Sequence, residues 1–292
     1  MCRLLAYASQ TPRAVADLLG PGEYKGFREL SHLHRDGWGM GWLSAPDDDG
    51  LLEPSRRRES GLQTQRSTIA AYEDPAFDSL AGRRLAAAGF VHLRWATSGL
   101  AIAEANTHPF LADGWAFAHQ GSIPSAERID SLLSSEWSVR RRGTTDSERY
   151  FLYFLQCLDG GDDVVEAMRR AVSDVVAACG TASLNAVALS SSCLLVVHGR
   201  SGLEPPRHDL LEAMGRPEDV PPDHLEGYFG LHYRQSAEEI LIISSGLTGA
   251  GWRDVPEDSI VHIDLSTRAA SCYRFDGSPA TPLQSDVVGE GA

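Results

Sequence analysis

Lysine is nearly missing from this 292-residue chain: Lys25 is the single one, and arginine carries almost all of the positive charge. No run of eighteen apolar residues occurs, which excludes a membrane-spanning helix of ordinary length. A basic segment followed by an apolar one is missing at the N-terminus, so no secretory signal is expected. Cysteines are few and odd in number (Cys2, Cys157, Cys179, Cys193, Cys272), with no CxxC pair. That excludes a disulfide framework and a cysteine zinc site, and it fits a reducing cytoplasm. Positive charge is outweighed: the net charge is −14 and the isoelectric point about 5.1. An acidic surface repels phosphate backbones and anionic membranes, which argues against nucleic-acid and membrane partners.

What is present suffices for a globular protein. Apolar residues make up 42% of the chain, enough for a substantial core. The stretch "TPRAVADLLG" predicts a short helix with Thr11 as N-cap, Pro12 at its first position and Gly20 ending it. "HRDGWGMGWLS" predicts a turn running into a strand, and residues 45 to 61, with Arg56 to Arg58, an exposed loop or hairpin tip. "AAAGFVHLRWATSG" and "WAFAHQGSI" predict strands that end in polar clusters. "SERYFLYFLQCL" and "DDVVEAMRRAVSDVVAAC" have helical spacing, and the aromatics of the first are expected in the core. Five further β-rich runs follow, interrupted by a Pro-, Asp- and Glu-rich insertion at 200 to 225. Strands, two helices, then strands predict a single α+β domain over 1–280 with a polar tail at 281–292.

Polar groups interrupt apolar strands at three places: His92, Arg94, Thr97 and Ser98; Asn106, His108, His119, Gln120 and Gly121; and Thr145, Asp146, Ser147 and Glu148. Each has an ordinary reading. Arg94 serves as a rim residue, the histidines as satisfied core groups, and Asp146 as the N-cap of the following helix. A zinc site from His32, His34, His92, His108 and His119 lacks the usual ligand spacing, so no metal and no organic cofactor are expected. Cys2 likewise has two readings. It is a small buried hydrophobe at a strand start, or, once Met1 is removed, a thiol beside a free α-amine of pKa about 8, a nucleophile with its own base. With Cys2 as nucleophile the clusters fit together. Gln120 and the Gly121 N–H are oxyanion donors, Arg94 forks onto a carboxylate, and Asp146 accepts from an ammonium. Carboxylate, ammonium and amide together describe glutamine or a γ-glutamyl amide.

These stretches, with "MCRLLAY" and "SHLHRDGWGMGW" ahead of them and "ILIISSGLTGAGWRDVPEDSIVHID" behind, resemble the class II glutamine amidotransferases, which are N-terminal-nucleophile hydrolases. Within that family the likeness is to the stand-alone branch of ergothioneine-pathway γ-glutamyl amidohydrolases and glutathione-degrading relatives. The resemblance implies a four-layer αββα sandwich of two antiparallel sheets between helices. It also implies catalytic roles for Cys2, Gly121 and Gln120, and substrate-binding roles for Arg94, Trp95, Thr97, His108, His119 and Asp146. Two departures stand out. Gln120 occupies the place of the family's usual Asn, and Ser244-Ser245-Gly246-Leu247 that of Ser-Glu-Pro-Leu. The expected activity is cleavage of the γ-glutamyl amide bond of glutamine or a γ-glutamyl compound through a cysteine thioester, in the cytoplasm. The alternatives are a catalytically weak γ-glutamyl-binding module, an ammonia-supplying subunit of a separate synthetase, and a scaffold. A homodimer or a synthetase is the expected macromolecular partner.

Overall fold

The opening run "RLLAYASQTPR" alternates between two buried faces, and in the computed structural model it is strand β1 (Arg3–Arg13). The structure describes residues 2–44, 61–96, 99, 101–200, 202–221, 223–247, 249–278 and 280–284. The loop expected at 45 to 61 (Gly61 apart) and residues 285–292 of the tail expected at 281–292 lie outside them. Leu4, Ala6 and Ala8 of β1 face a second sheet, whereas Leu5 and Tyr7 face helices. The strand extends further than expected. Thr11 and Pro12 are exposed residues at its end, past an irregularity in the pairing with the neighbouring strand, where the missing proline N–H costs little. Helix α1 (Val15–Glu29) therefore begins later, with Ala14 as an N-cap that has no side-chain bond. It does break at Gly20, whose φ of +72° is open to glycine.

Next come β2 (Trp38–Ser44), β3 (Leu62–Ser67), α2 (Pro75–Arg83) and β4 (Ala86–Leu93). The middle holds β5 (Phe110–Ala112), β6 (Trp115–Gln120), α3 (Ser135–Ser138), α4 (Asp146–Asp159) and α5 (Val164–Cys179). The chain goes on through β7 (Asn185–Leu189), β8 (Cys193–His198), α6 (Arg207–Met214), β9 (Leu231–Gln235), β10 (Glu239–Ser244), β11 (Arg253–Asp254), β12 (Ser259–Asp264) and β13 (Ala270–Arg274).

Two antiparallel sheets result. One has the order β11-β9-β10-β1-β4-β2-β3, the other β13-β12-β8-β7-β6-β5. Alternation gives each sheet two apolar faces. Leu4, Phe90 and Ile242 of the first meet Val187, Val196 and Val261 of the second. The outer face of the first sheet packs on α1 and α2 through Leu18, Phe27 and Phe77. That of the second packs on α4 and α5, where Tyr150, Phe151, Tyr153 and Phe154 are core residues as expected. This is the four-layer αββα sandwich.

Register brings the polar strand ends together. Arg3 of β1 pairs with Leu93, the last residue of β4, and Leu5 pairs with Ile243 of β10. Cys2, Arg94 and Ser245 thus lie at one end of the first sheet. In the second sheet Gln120 pairs with Asn185, placing the ends of β6 and β7 at one position. The insertion at 200 to 225 packs at this end too: Leu210 joins Leu33, Tyr228 and Phe229 in a small apolar cluster against Trp95.

Candidate active site

Cys2 precedes β1 directly, is 7% exposed, and its Sγ donates to the Trp95 carbonyl at 3.7 Å. Arg94 is the residue before Trp95. Its backbone is pinned at both ends, the N–H on the Gly37 carbonyl and the carbonyl accepting from Asp36 N–H, each at 2.9 Å. The residue is 3% exposed, and among the described residues its guanidinium makes only long bonds to neutral acceptors, Asp36 O at 3.3 Å and Ala101 O at 3.4 Å. Among the described residues no carboxylate pairs with it. A buried guanidinium bonded only to carbonyls has capacity for an external carboxylate. Trp95 is half-buried, and the Asp36 carboxylate holds the next N–H, that of Ala96, at 2.7 Å. Thr97 and Ser98 lie outside the described residues.

Gln120 is fully buried at the end of β6. Its Nε2 donates to the Tyr228 carbonyl at 3.2 Å, and Oε1 has no partner. The turn after it is tied to residue 183: Ser183 Oγ donates to Gln120 O, and Ser183 N–H to Ser122 O. A Cβ on Gly121 would fall 2.2 Å from the Ser183 carbonyl, so this position admits only glycine. His119 faces the opposite side from Gln120, as alternation requires. Its Nε2–H donates to Ser183 O at 2.7 Å, and Nδ1 accepts from Ser147 Oγ at 2.9 Å. Burial holds it below the ordinary histidine pKa, against the pull of Asp146. It therefore braces β6 against α4 as a neutral ring.

Asp146 is the first residue of α4. The cap is Thr145, which accepts from Glu148 N–H at 3.1 Å, so the N-cap expected at Asp146 belongs one residue earlier. Asp146 Oδ2 accepts from Ile123 N–H and Oδ1 from Ser147 N–H, each at 2.8 Å, which fixes the carboxylate beside the Gly121 turn. Glu148 does not close a capping box; it accepts from the N–H groups of Arg142 and Gly143. Asn106 joins the Arg94 loop to α4: Nδ2 donates to Ala101 O, and Oδ1 accepts from Thr144 N–H at 2.9 Å.

His108 lies tilted against His92, with ring centroids 4.2 Å apart, and neither of its ring nitrogens has a partner. His92 Nε2 meets the His119 carbonyl at 3.3 Å. Burial lowers His92 to about 3 and His108 well below 6.5, the neighbouring positive charges adding to the effect. Both rings are neutral. His34 is also buried, but it faces His224 (Nε2 to Nε2 3.4 Å) beside Trp95; His32 is exposed and stacks on Tyr72.

Sequence reasoning missed Arg3, Asn185 and Tyr228. Arg3 and Gln120 both donate to the Tyr228 carbonyl, Asn185 Nδ2 donates to Phe229 O at 2.7 Å, and together they pin the turn before β9. The signal for Arg3 was a charge placed directly after Cys2 in an otherwise apolar run. A cavity of about 1140 Å³ lined by Arg66, Glu104, Arg142 and Glu148 lies elsewhere and contains none of Cys2, Arg94 or Gln120.

The probable glutamine amidotransferase DUG3 of Saccharomyces cerevisiae is 28% identical over 171 residues, 54% of this chain and 46% of that protein. The chain thus spans about half the length of this curated relative. Among solved structures, a glutamine aminotransferase class-II domain protein from Silicibacter pomeroyi superposes with a TM-score of 0.60 at 20% identity, covering 94% of this chain and 99% of that one. The glutamine phosphoribosylpyrophosphate amidotransferase of B. subtilis gives 0.56 at 12% identity, over 95% of this chain and 50% of that one. At these identities the structures show a shared fold. The sequence model of the family described as Glutamine amidotransferases class-II matches residues 1–208, well over half of the chain. With the four-layer fold and the strand-end cluster around Cys2, that match means the chain belongs to the class II glutamine amidotransferases.

Proposed function

We propose that the protein hydrolyses the γ-glutamyl amide bond of glutamine or a larger γ-glutamyl compound through a thioester on Cys2. The observation that carries this reading is the adjacency of Cys2 and Arg94. The thiol is bonded to the carbonyl of Trp95, and the next residue back is a buried guanidinium without a carboxylate. Arg94 takes the substrate α-carboxylate and Asp146 the α-ammonium, with Trp95 and His108 beside them and His119 bracing the turn; Thr97, which the resemblance also assigns to substrate binding, lies outside the described residues. The Cys2 sulfur attacks the γ-carbonyl, and its proton passes to the α-amine, which is free once Met1 is removed. The oxyanion is held by the Gly121 N–H with Gln120 behind it. The C–N bond breaks, the amine leaves with that proton, and water cleaves the thioester to glutamate and free thiol. No metal or organic cofactor is needed for these steps.

Ammonia supply to a separate synthetase is the second reading. It is favoured by the B. subtilis amidotransferase, half of whose chain lies beyond the matched part. Glutamate and amine release from a panel of γ-glutamyl amides, glutamine included, separates the two. Preference for a bulky leaving amine supports hydrolysis for its own sake. Glutamine as the sole substrate supports ammonia supply. No turnover of any member by a preparation whose first residue is Cys2 leaves the binding module and the scaffold and overturns the enzymatic reading.

A further inference from the structure

His34 and His224 are 190 residues apart in sequence, and both are fully buried. Their Nε2 atoms lie 3.4 Å apart and their ring centroids 5.6 Å apart. The second distance exceeds the first by roughly the radii of the two rings, so the nitrogens point at each other. A neutral imidazole has one N–H and one lone pair, so one Nε2 donates and the other accepts. The contact holds a single proton.

Each ring leads to a different side of the site. His34 meets the Trp95 ring edge-on, with centroids 5.8 Å apart, and the Trp95 carbonyl accepts from the Cys2 thiol. Asp36, two residues on, fixes the backbone on both sides of Trp95: its N–H donates to Arg94 O, and its carboxylate accepts from Ala96 N–H. On the other side, His224 meets the Tyr228 ring edge-on at 5.2 Å. The Tyr228 carbonyl accepts from Gln120 at the end of β6. A series of contacts thus runs from the Cys2 thiol to Gln120, and the histidine pair is its middle link.

Gly246 leaves the room for that link. A Cβ there would fall 2.7 Å from His224 Cε1 and 2.9 Å from Leu30 Cδ2, and its φ is +116°. Proline, with φ locked near about −65°, cannot take this conformation. The departure from Ser-Glu-Pro-Leu at residues 244 to 247 therefore goes with the place of the His224 ring. Apolar rings would fill the same volume without the cost of burying two imidazoles. What the polar pair adds is a fixed spacing, because a satisfied buried hydrogen bond specifies one arrangement.

We propose that His34 and His224 are positioning residues for the reaction: their shared N–H···N contact sets the spacing between the Trp95 segment, which holds Cys2, and the Tyr228 turn, which holds Gln120. The inference rests on Cys2 being the nucleophile. A misplacement of about 1 Å can cost on the order of a hundredfold in rate, so the effect falls on kcat.

The test has two readouts, the first without substrate. It is solvent exchange of the Ala96 N–H, followed by NMR relative to the amides of β7, which report global opening. His224→Phe should speed this exchange by about tenfold or more, although Ala96 is far along the chain. His224→Gln, whose amide can donate to or accept from His34, should restore it. The second readout is steady-state kinetics on one γ-glutamyl amide. His34→Phe and His224→Phe should each lower kcat by about tenfold to a hundredfold with KM little changed. The double variant should lose no more than either single one, as for residues that act as a unit. His224→Asn, too short to reach His34, takes the place of a phenylalanine variant that does not fold. Losses that multiply in the double variant, or wild-type exchange and kcat in a His224→Phe protein that melts cooperatively, overturn the proposal. Faster Ala96 exchange in a protein that hydrolyses no γ-glutamyl amide supports the pair and sinks the substrate reading alone.

Discussion

One methylene separates Gln120 from the asparagine usual at its position, and the structure gives that methylene a use. It carries Nε2 to the Tyr228 carbonyl, where Arg3 and Ser245 also donate. An asparagine is too short to keep that bond, but the carbonyl retains two donors without it. Gln120→Asn should therefore bring an amide back toward the Gly121 N–H and raise kcat by about tenfold, with KM little changed, because an oxyanion donor acts on the developing charge. Steady-state kinetics on one γ-glutamyl amide decide it; a fall in kcat means that Gln120 already serves the oxyanion. Cys2→Ala should abolish turnover and leave the melting temperature within a few degrees. The thiol makes a single weak bond at 3.7 Å, and little buried volume is lost. At this scale the positions were legible: Cys2, Arg94 and Gly121 stand at strand ends, where polar groups interrupt the apolar runs. Arg3 and Asn185 escaped because their partners, the Tyr228 and Phe229 carbonyls, lie more than forty residues further along.

Between elements, Asn106 is the joint to probe. It couples the loop that carries Arg94 to the start of α4, which carries Asp146. Asn106→Ala removes the bonds to Thr144 N–H and the Ala101 carbonyl, both on exposed residues, at a cost of about 0.5–1.5 kcal/mol per bond. Both substrate anchors loosen at once, so KM should rise more than kcat falls. An unchanged KM on a γ-glutamyl amide would show that the two anchors are set independently. Elements were readable wherever apolar spacing was sustained, as in α4, α5 and the β-rich runs. The segment Thr11–Pro12 misled because Thr-Pro before an apolar turn is a common helix start. Here the tertiary pairing of β1 with β4, resumed at Arg13 opposite Ala86, carries the strand through it. The lone glutamate of "TTDSE" misled similarly, since Glu148 is drawn to Arg142 and Gly143 rather than to the cap.

For the whole molecule, three neutral histidines buried around the sheet ends set the response to acid. His92, His108 and His119 all have folded pKa values below the ordinary 6.5, His92 at about 3. Between 6.5 and the folded value the unfolded chain binds more protons than the native one. Stability is therefore fully present above 6.5 and is lost as pH falls, by up to about 1.4 kcal/mol per unit for each group. The melting temperature should be level above about pH 7 and drop steeply from pH 6.5 to 5. A level profile down to pH 5 would show that burial does not hold these rings below the ordinary histidine range. The α+β class, helices on antiparallel sheet, was legible from the order of the apolar runs; the four-layer order was implied by the family resemblance, and the two apolar faces of runs such as "LNAVAL" and "CLLVVH" fit it. How the sheets meet at their ends was not, because register depends on pairs such as Arg3 with Leu93 that are distant in sequence.

The central claim is that Cys2, freed at its amine, forms the thioester. The most direct measurement treats the purified protein with a diazo-ketone analogue of glutamine and maps the adduct by mass spectrometry of the N-terminal peptide. The account predicts a peptide that begins at Cys2, lacks Met1 and carries one adduct on the sulfur, with γ-glutamyl hydrolysis lost in step with labelling. An active protein that keeps Met1 on every chain, or an adduct on Cys157, Cys179, Cys193 or Cys272 with Cys2 unmodified, would contradict it.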